Sequence, residues 1–405
     1  MKKILVAILT VCMAVMCFAG CGGGEDKKGG KAEDKIKVGF IFLHDEKSTY
    51  DLNFMNAAKK AQENLKLSDD QVIFKYPVEE GQACYDAAAD LVDQGCDLIF
   101  ADSFGHEQWL IKAANDFKNV QFCHATGTKA HTEKLANFHN AFATIYEGRY
   151  LAGIVAGLKL NEMIKEGKIT AEQAVMGYVG AFPYAEVKSG YTAFYLGAKS
   201  VCPSVTMKVD FTQAWYSVDD ERDVANSLMD QGCVLISQHA DSMGAPTACE
   251  TAGVPNISYN GSTISACPNT FIVSSRINWE PYFEYMIKCV KDGKEIDTDW
   301  CKGISEGSVE LTDINEKVAA KGTKEAIEKA EEEFKAGTLH VFDLSTFTVD
   351  GKKVADDHKA DVDTDEKYTP DTVVIKDGYF AESTFRSAPY FDLKIDGIKL
   401  LNEKF

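Results

Sequence analysis

Short apolar runs alternate with amphipathic stretches along most of the chain. The first run, residues 35–42, has the length of a buried strand, and residues 53–65 after it carry apolar positions at helical spacing. Further predicted strands lie at 71–76, 97–101, 174–181, 205–211 and 234–237. Further predicted helices lie at 83–94, 184–201 and 219–231. Strands that alternate with helices of this length indicate βαβ units and parallel sheets, and therefore an α/β fold.

The pattern occurs twice, and a short motif marks the same position in both copies. Asp93-Gln94-Gly95-Cys96 ends the helix at 83–94, and Asp230-Gln231-Gly232-Cys233 ends the helix at 219–231. In each motif the glycine supplies the left-handed turn that ends a helix before a strand. We therefore predict two doubly wound parallel-sheet lobes joined by hinge crossings. Open parallel sheets bind ligands at the carboxyl ends of their strands, so two facing edges would enclose a small molecule.

The predicted lobe boundaries follow an apolar, glycine-containing helical run. Gly148, Gly153 and Gly157 lie where the chain is expected to pass between lobes, and their spacing allows close helix packing. The first lobe is predicted to comprise residues 35–146 and about 262–301. The second lobe is predicted to comprise residues 147–261 and about 302–344.

The end of the chain shows a different pattern of short alternating segments. Turn signals lie at Asp350-Gly351 and Asp377-Gly378. Residues 345–405 are therefore predicted to form a small C-terminal β-hairpin extension.

The first residues have the pattern of an export signal. Lys2 and Lys3 precede an uncharged run from Ile4 to Phe18, which is shorter than the ~20 residues of a membrane-spanning helix. Phe18-Ala19-Gly20-Cys21 resembles a lipobox, so residues 1–20 are predicted to be a lipoprotein signal peptide and Cys21 the lipidated residue. Residues 21–34 are polar and glycine-rich and are expected to be a flexible tether. The alternative is an ordinary secretory signal with a chance cysteine.

Charge and cysteine content restrict the possible partners and cofactors. The net charge is −19, with 62 acidic and 43 basic residues, which argues against nucleic acid as a partner. Of the 12 cysteines, the nine that follow Cys21 show no C-x-x-C spacing, and their odd number leaves at least one unpaired within the chain. No histidine lies at metal-ligand spacing from another histidine or cysteine on one helix face. We expect neither a metal nor a cofactor.

Sequence motifs of enzymes give one match, which lacks the expected surroundings. Dinucleotide-binding, P-loop and H-E-x-x-H motifs do not occur in the sequence. A G-x-S-x-G motif occurs at Gly303-Ile304-Ser305-Glu306-Gly307, but a polar stretch precedes it and no amphipathic helix follows it. We therefore interpret the match as chance and expect no catalytic activity.

Several stretches, taken in order, resemble one family. They are Val38-Gly39-Phe40-Ile41-Phe42, Ala101-Asp102-Ser103-Phe104-Gly105, His124-Ala125-Thr126-Gly127, Tyr146-Glu147-Gly148-Arg149-Tyr150-Leu151-Ala152-Gly153, Ala181-Phe182-Pro183, Trp215-Tyr216 and Gln238-His239-Ala240-Asp241-Ser242. Together they resemble the basic membrane protein (BMP) family of ABC-transporter substrate-binding lipoproteins, related to the purine nucleoside receptor branch, over roughly residues 35–342.

The resemblance implies a type I periplasmic-binding fold and a function in transport. The expected protein is a monomer, lipid-anchored on the extracytoplasmic face of the cell membrane. It would capture a purine nucleoside or nucleobase between its lobes and deliver it to an ABC permease. Two alternatives stay open: a binding protein for another small polar solute such as a sugar, or a surface receptor or adhesin on the same fold.

Residues that follow predicted strands are the candidates for ligand contact. A flat purine needs aromatic faces, which contribute ~1–3 kcal/mol per base by stacking. The aromatic candidates are Tyr50, Phe104, Phe182, Trp215 and Tyr216. The polar candidates are Asn53, Asp102, Ser103, His239, Asp241, Ser242 and Asn260. Core packing is the alternative for the aromatic residues, and helix N-capping is the alternative for Asp102 and Asp241.

The sequence departs from the nucleoside branch at the predicted polar edge of the site. Asn260 falls where that branch usually has an aspartate, and the lysine expected after the strand at 271–275 is missing. Ser48-Thr49-Tyr50 replaces that branch's Ser-Phe-Asn signature. These changes suggest a different purine, or a base without its sugar.

Overall fold

The computed structural model describes residues 35–363 and 370–402. The predicted signal peptide, the lipidation site Cys21 and the tether at 21–34 lie outside the described residues. Within the described ranges, every helix is too short or too polar to cross a bilayer.

Strands and helices alternate as the sequence predicts. The strands are β1 (Val38–Ile41), β2 (Val72–Lys75), β3 (Leu98–Ala101), β4 (Gln121–Ala125), β5 (Phe138–Ala143), β6 (Val175–Gly180), β7 (Thr206–Phe211), β8 (Leu235–His239), β9 (Asn256–Tyr259), β10 (Phe271–Ile277), β11 (Asp299–Lys302), β12 (Val309–Leu311), β13 (Lys359–Ala360), β14 (Thr372–Val373), β15 (Ile375–Lys376), β16 (Tyr379–Phe380) and β17 (Ile398–Leu400). The helices are α1 (Thr49–Asn64), α2 (Gln82–Asp93), α3 (Glu107–Asp116), α4 (Ala130–Glu133), α5 (Ile145–Lys165), α6 (Ala185–Val201), α7 (Val218–Asp230), α8 (Gly244–Ala252), α9 (Glu280–Asp292) and α10 (Thr323–Lys335).

The first lobe is built on a parallel sheet in the order β11-β5-β4-β3-β1-β2. Successive strand residues point to opposite faces of a sheet. Phe40 therefore packs with Phe54 of α1 and Phe283 of α9, whereas Ile41 packs in a separate cluster with Leu91 of α2. Helices cover both faces, which confirms the predicted α/β fold with parallel sheets.

The second lobe is built on a sheet in the order β12-β10-β9-β8-β6-β7-β17. Its pairs are parallel except β10 with β12. Helices α5 and α6 pack on one face, and α7 and α8 on the other. The carboxyl ends of the parallel strands β6, β8 and β9 therefore form one rim of this lobe.

The chain passes between the sheets three times, and the second passage differs from the prediction. It follows β5 near Thr144, lies between β10 and α9 at Asn278, and lies between β11 and β12. The prediction that 262–301 belongs to the first lobe is wrong for β10, which pairs with β9 in the second sheet. Pairing with β10 satisfies the backbone groups of β9, which would otherwise form an open sheet edge.

The C-terminal extension forms the predicted turns and also joins the second sheet. Strands β15 and β16 pair in antiparallel orientation across Asp377-Gly378. Val349 and Lys352 form an isolated antiparallel β-bridge across Asp350-Gly351. Strand β17 then pairs in parallel with β7. In addition, the backbone N–H and hydroxyl of Ser387 donate to Asp299 Oδ1 in β11 at 2.9 and 2.8 Å. The extension thus contacts both sheets.

Helices α5 and α6 approach so closely that two glycines are required between them. A Cβ atom at Gly153 would lie 2.1 Å from the carbonyl oxygen of Phe194, and one at Gly197 would lie 2.0 Å from that of Tyr150. These obstacles are backbone atoms, which cannot rotate away. The close packing that the glycine spacing predicts in α5 is therefore present.

Gly153→Val should lower the free energy of unfolding by at least about 2 kcal/mol, because the new side chain would force the two helices apart. Denaturant unfolding measures the change. Lys165→Val, at the exposed end of the same helix, is the control and should cost less than about 1 kcal/mol. Equal effects of the two substitutions would show that the helix contact is not needed.

Candidate functional site

A cavity of about 380 Å³ lies where the rims of the two sheets face each other. The first lobe supplies lining residues after β1, β3 and β4 and from the start of α1. The second lobe supplies lining residues from the start of α6, after β7 and from the ends of β8 and β9. The lining residues are Leu43, His44, Tyr50, Ser103, Phe104, Thr126, Glu186, Trp215, His239, Asp241 and Tyr259. The cavity occupies the position expected for a ligand of parallel α/β sheets.

The two lobes contact each other around this cavity, so the described conformation is closed. The backbone N–H and hydroxyl of Thr49 in the first lobe donate to the carbonyl oxygen of Asp241 in the second, at 3.0 and 3.2 Å. The rings of Phe104 and Tyr184 stack across the opening with centroids 5.4 Å apart. The rings of His44 and Tyr216 also meet between lobes, at 5.4 Å.

Aromatic side chains from both lobes line the cavity. Phe104 and Trp215 line it directly from opposite lobes. Phe182 lies behind them: its ring meets the Trp215 ring edge-on at 5.2 Å and stacks on Tyr184 at 5.1 Å. Such edge-to-face and stacked contacts fix ring orientation. Phe182 therefore supports Trp215 and does not line the cavity itself.

Asp241 presents a buried carboxylate to the cavity. It is 5% exposed, and its backbone N–H is held by the carbonyl oxygen of Trp215 at 2.9 Å. Within the described part of the chain, no group donates a hydrogen bond to its carboxylate. Burial raises the pKa of Asp241 well above its usual range, and the negative charges of Asp51, Glu221 and Glu186 raise it further. A ligand that brings N–H or O–H donors would relieve this cost.

Asp102 lies beneath the cavity and organises the first-lobe loops. Its Oδ1 accepts from the backbone N–H of Leu43 at 3.1 Å, and its backbone carbonyl accepts from the Tyr50 hydroxyl at 2.8 Å. Burial, followed by the charge of Asp51, raises the pKa of Asp102 well above its usual range. Asp102 thus positions Tyr50 and the loop after β1, and the structure places it outside the lining.

His239 and Glu186 form a polar pair in the second-lobe wall. The Nε2 atom of His239 lies 3.2 Å from Glu186 Oε1, and the imidazole packs on the Tyr259 ring at 4.5 Å. Burial lowers the pKa of His239, whereas the hydrogen bond to Glu186 opposes this shift. The guanidinium of Arg149 lies over the Tyr259 ring, 4.3 Å from its centroid. It also donates a hydrogen bond to the carbonyl oxygen of Gln238 at 2.6 Å.

The structure brings six of the predicted residues into the cavity: Tyr50, Ser103, Phe104, Trp215, His239 and Asp241. It places six outside it: Asn53, Asp102, Phe182, Tyr216, Ser242 and Asn260. Ser242 instead caps the approach to α8, because its N–H donates to Glu221 and its hydroxyl accepts from Gly244 N–H.

Asn53 and Asn260 line a separate, open groove between the lobes. The Asn53 amide donates to the carbonyl of Ile277 at 2.8 Å and accepts from Arg276 at 3.0 Å. Asn260 has a φ of 62°, a left-handed turn after β9. Neither residue therefore lines the interlobe cavity.

Five lining residues were not predicted: Leu43, His44, Thr126, Glu186 and Tyr259. Four of them directly follow or end a strand of the rim, at β1, β4 and β9, which is the signal that could have found them. Thr126 lies within His124-Ala125-Thr126-Gly127, one of the stretches that carry the family resemblance. Glu186 lies in the first turn of α6, where the sequence gives no separate signal.

The G-x-S-x-G match and the cysteines have structural positions away from the cavity. Ser305 is exposed in a single 3₁₀ turn between β11 and β12, with no helix after it. Across the described ranges, the nine cysteines are free thiols, eight of them buried and Cys301 partly so. They behave as small apolar core residues.

Comparison with known proteins gives consistent matches. The family model described as ABC transporter substrate-binding protein PnrA-like matches residues 40–341. A purine-binding protein of Brucella abortus is 31% identical over 314 residues, which cover 77% of this chain and 84% of that protein. A putative ABC transporter glucose-binding protein of Haloferax volcanii is 31% identical over 252 residues, 62% of this chain and 60% of that protein.

Solved structures share the fold. A solute-binding protein of an ABC transporter system from Aeropyrum pernix K1 superposes with a TM-score of 0.64 at 17% identity, over 76% of this chain and 93% of that one. A corresponding protein from Conexibacter woesei superposes with a TM-score of 0.61 at 17% identity, over 75% of this chain and 98% of that one. Both are periplasmic-type solute-binding folds of two α/β lobes.

Asp241→Asn should raise the melting temperature of the ligand-free protein near pH 8 and reduce its dependence on pH. The pKa of the Asp241 carboxyl is raised only in the folded protein. As pH rises, the unfolded chain therefore loses this proton at a lower pH than the folded protein does. The free energy of unfolding consequently falls as pH rises above the usual aspartate range. Thermal melting at about pH 5 and about pH 8 measures this effect. Glu325→Gln, on the exposed face of α10, is the control. A lower melting temperature of Asp241→Asn near pH 8 would contradict the analysis.

Proposed function

Because the chain belongs to the PnrA-like family of ABC-transporter substrate-binding proteins, we propose that its cavity captures a purine nucleoside or nucleobase. Proteins of this family bind solutes outside the cytoplasm for transport and perform no chemistry on them. The proposal concerns the ligand, which the family alone does not specify.

The observation that carries the proposal is the combination of flat faces and an unmatched acceptor. Phe104 and Trp215 offer ring faces from opposite lobes, and the buried Asp241 carboxylate between the lobes lacks a donor in the described chain. A purine offers a flat ring for stacking and N–H groups at its edge for hydrogen bonding. The relative from Brucella abortus, whose name states purine binding, supports the same ligand class.

The charges of the lining favour a neutral or cationic, donor-rich ligand. Glu186 and Asp241 line the cavity, and no lysine or arginine is among the described residues that do so. A phosphate group would meet these carboxylates without a compensating cation, and like-charge juxtaposition costs several kcal/mol. Nucleotides should therefore be excluded.

Asn260 does not distinguish a nucleobase from a nucleoside in the cavity. The residue at which the sequence departs from the nucleoside branch lies in the outer groove and not in the cavity. Its replacement therefore leaves the cavity lining unaltered, and both ligand classes belong to the proposal.

Ligand capture would be coupled to closure of the lobes. A molecule between Phe104 and Trp215 contacts both lobes, so it has a higher affinity for the closed conformation than for an open one. We propose that this closed form is the one presented to the ABC permease. We also propose that Cys21 anchors a monomeric protein to the outer face of the cell membrane by a lipid.

A sugar is the second candidate, because the Haloferax volcanii relative is named as a glucose-binding protein. Aromatic faces and carboxylate acceptors also suit sugar hydroxyls. A cavity without any small-molecule ligand, as in a receptor or adhesin, is the remaining alternative. One titration panel separates these possibilities.

Isothermal titration calorimetry should give a dissociation constant in the micromolar range or below for at least one of guanine, hypoxanthine, guanosine and inosine. GMP should bind at least about 100-fold more weakly, because its phosphate meets the two carboxylates. Glucose should give no heat of binding. Preference for glucose would support the sugar alternative. The absence of measurable binding by every compound tested would contradict ligand capture.

The same titration with Trp215→Ala should show about 10-fold to 100-fold weaker binding of the preferred purine, because a stacking face is lost. Thermal stability should change little, since Trp215 is only partly buried. Trp109→Ala is the matched control, because Trp109 is also partly buried but lies on α3 away from the cavity. Unchanged affinity of Trp215→Ala would remove this ring from the site.

A further inference from the structure

A second cavity, of about 520 Å³, lies between the start of α5 and the C-terminal extension. It is distinct from the interlobe cavity and shares no lining residue with it. Six of its twelve lining residues, between Phe342 and Thr384, lie beyond the span that matches the family. The cavity is therefore a property of this chain with its extension.

The carboxylate of Glu382 lies in the wall of this cavity without a hydrogen-bond partner. The residue is 5% exposed, and neither carboxylate oxygen is paired within the described part of the chain. The Ser189 hydroxyl and the backbone N–H groups of Tyr390 and Phe391 point toward Glu382 and lower its pKa, but their geometry falls short of a formed hydrogen bond. A buried acceptor left in this state destabilises a fold unless a ligand or water satisfies it.

Arg386 lowers the pKa of Glu382 through its charge but, within the described residues, forms no hydrogen bond with it. The guanidinium of Arg386 donates instead to the carbonyl oxygens of Ala388, Pro389 and Val362, at 3.2, 2.9 and 3.3 Å. Burial raises the pKa of Glu382 to about 8. The geometry thus leaves a buried carboxyl group beside the cavity, and a donor that reached it would stabilise its charged form.

A second carboxylate makes the cavity acidic. Glu147 lines it from the first turn of α5, and its Oε2 accepts from the backbone N–H of Ile304 at 2.8 Å. Burial raises the pKa of Glu147 as well. Among the described lining residues there is no lysine or arginine. When these carboxyl groups are ionised, the cavity repels an anion and attracts a cation.

Aromatic rings complete the wall and favour a flat or apolar body. His340 and Tyr379 stack with centroids 4.0 Å apart and rings 3° from parallel. Tyr146 and Phe342 meet at 5.2 Å on the inner side. Ring faces beside carboxylates are the surroundings that bind organic cations through cation–π attraction and charge-assisted hydrogen bonds.

We propose that this cavity is a second small-molecule site, which takes a small organic cation such as an amine or amidine, with its N–H groups on Glu382. The site touches two of the three passages between the lobes. Glu147 follows Thr144 at the first, and its hydrogen bond to Ile304 lies at the third. An occupant would therefore contact segments that move when the lobes open.

Benzamidine is a suitable probe, because it joins a flat ring to an amidinium group. Calorimetry at about pH 9, where Glu382 is ionised, should show that it binds the complete protein and that Glu382→Gln weakens this binding at least tenfold, about the effect of losing one charged hydrogen bond. Glu325→Gln, on the exposed face of α10, should bind like the unaltered protein. Thermal melting checks that the Glu382→Gln variant folds. We expect it to fold, because glutamine has nearly the same shape as glutamate. A crystal structure of the complex should show the amidinium within hydrogen-bond distance of Glu382.

Asp241→Asn distinguishes this site from the interlobe cavity, which is also acidic. The proposal predicts that Asp241→Asn leaves benzamidine affinity unchanged, whether or not the interlobe cavity binds purines. Loss of affinity in Asp241→Asn but not in Glu382→Gln would overturn the proposal. So would the absence of binding at about 10 mM probe, or a crystal structure in which only water occupies the second cavity.

Discussion

The burial of the Asp241 carboxylate where two lobes meet is the constraint on which the structure of the site depends. The hydrogen bonds from the Thr49 backbone N–H and hydroxyl to the Asp241 carbonyl oxygen bring the second-lobe rim against the start of α1, and the Asp241 carboxylate is buried there. The enclosed charge destabilises the empty closed state, whereas a ligand with N–H donors reverses that effect. Affinity and closure therefore have a common physical origin.

The fold supplies this arrangement through the direction of its strands. In both sheets the parallel strands end at the rim, and the three passages of the chain hold the two rims opposite each other. Residues that follow β3 and β7, such as Phe104 and Trp215, thus come together although they are distant in the sequence. The Gly153 and Gly197 contacts hold α5 firmly on the second lobe, so that α5 starts directly at the first passage.

The sequence predicts the strands, the helices and the duplicated lobes, because hydrophobic periodicity and glycine caps are local signals. It also predicts Ser103, Trp215 and Asp241 as lining residues from their positions after strands. It fails where tertiary pairing or rotation of the backbone decides the outcome. Strand β10 stays with β9 because backbone pairing requires it, and the turn at Asn260 leads its side chain into the outer groove. The contacts of β17 and Ser387 with opposite sheets likewise depend on distant partners.

A crystal structure of the protein with its preferred purine tests the central claim most directly. The account predicts the base between Phe104 and Trp215, with a ring N–H donating to the Asp241 carboxylate at hydrogen-bond distance. A purine bound in the outer groove beside Asn260, or a closed interlobe cavity that stays empty at saturating purine, would contradict it.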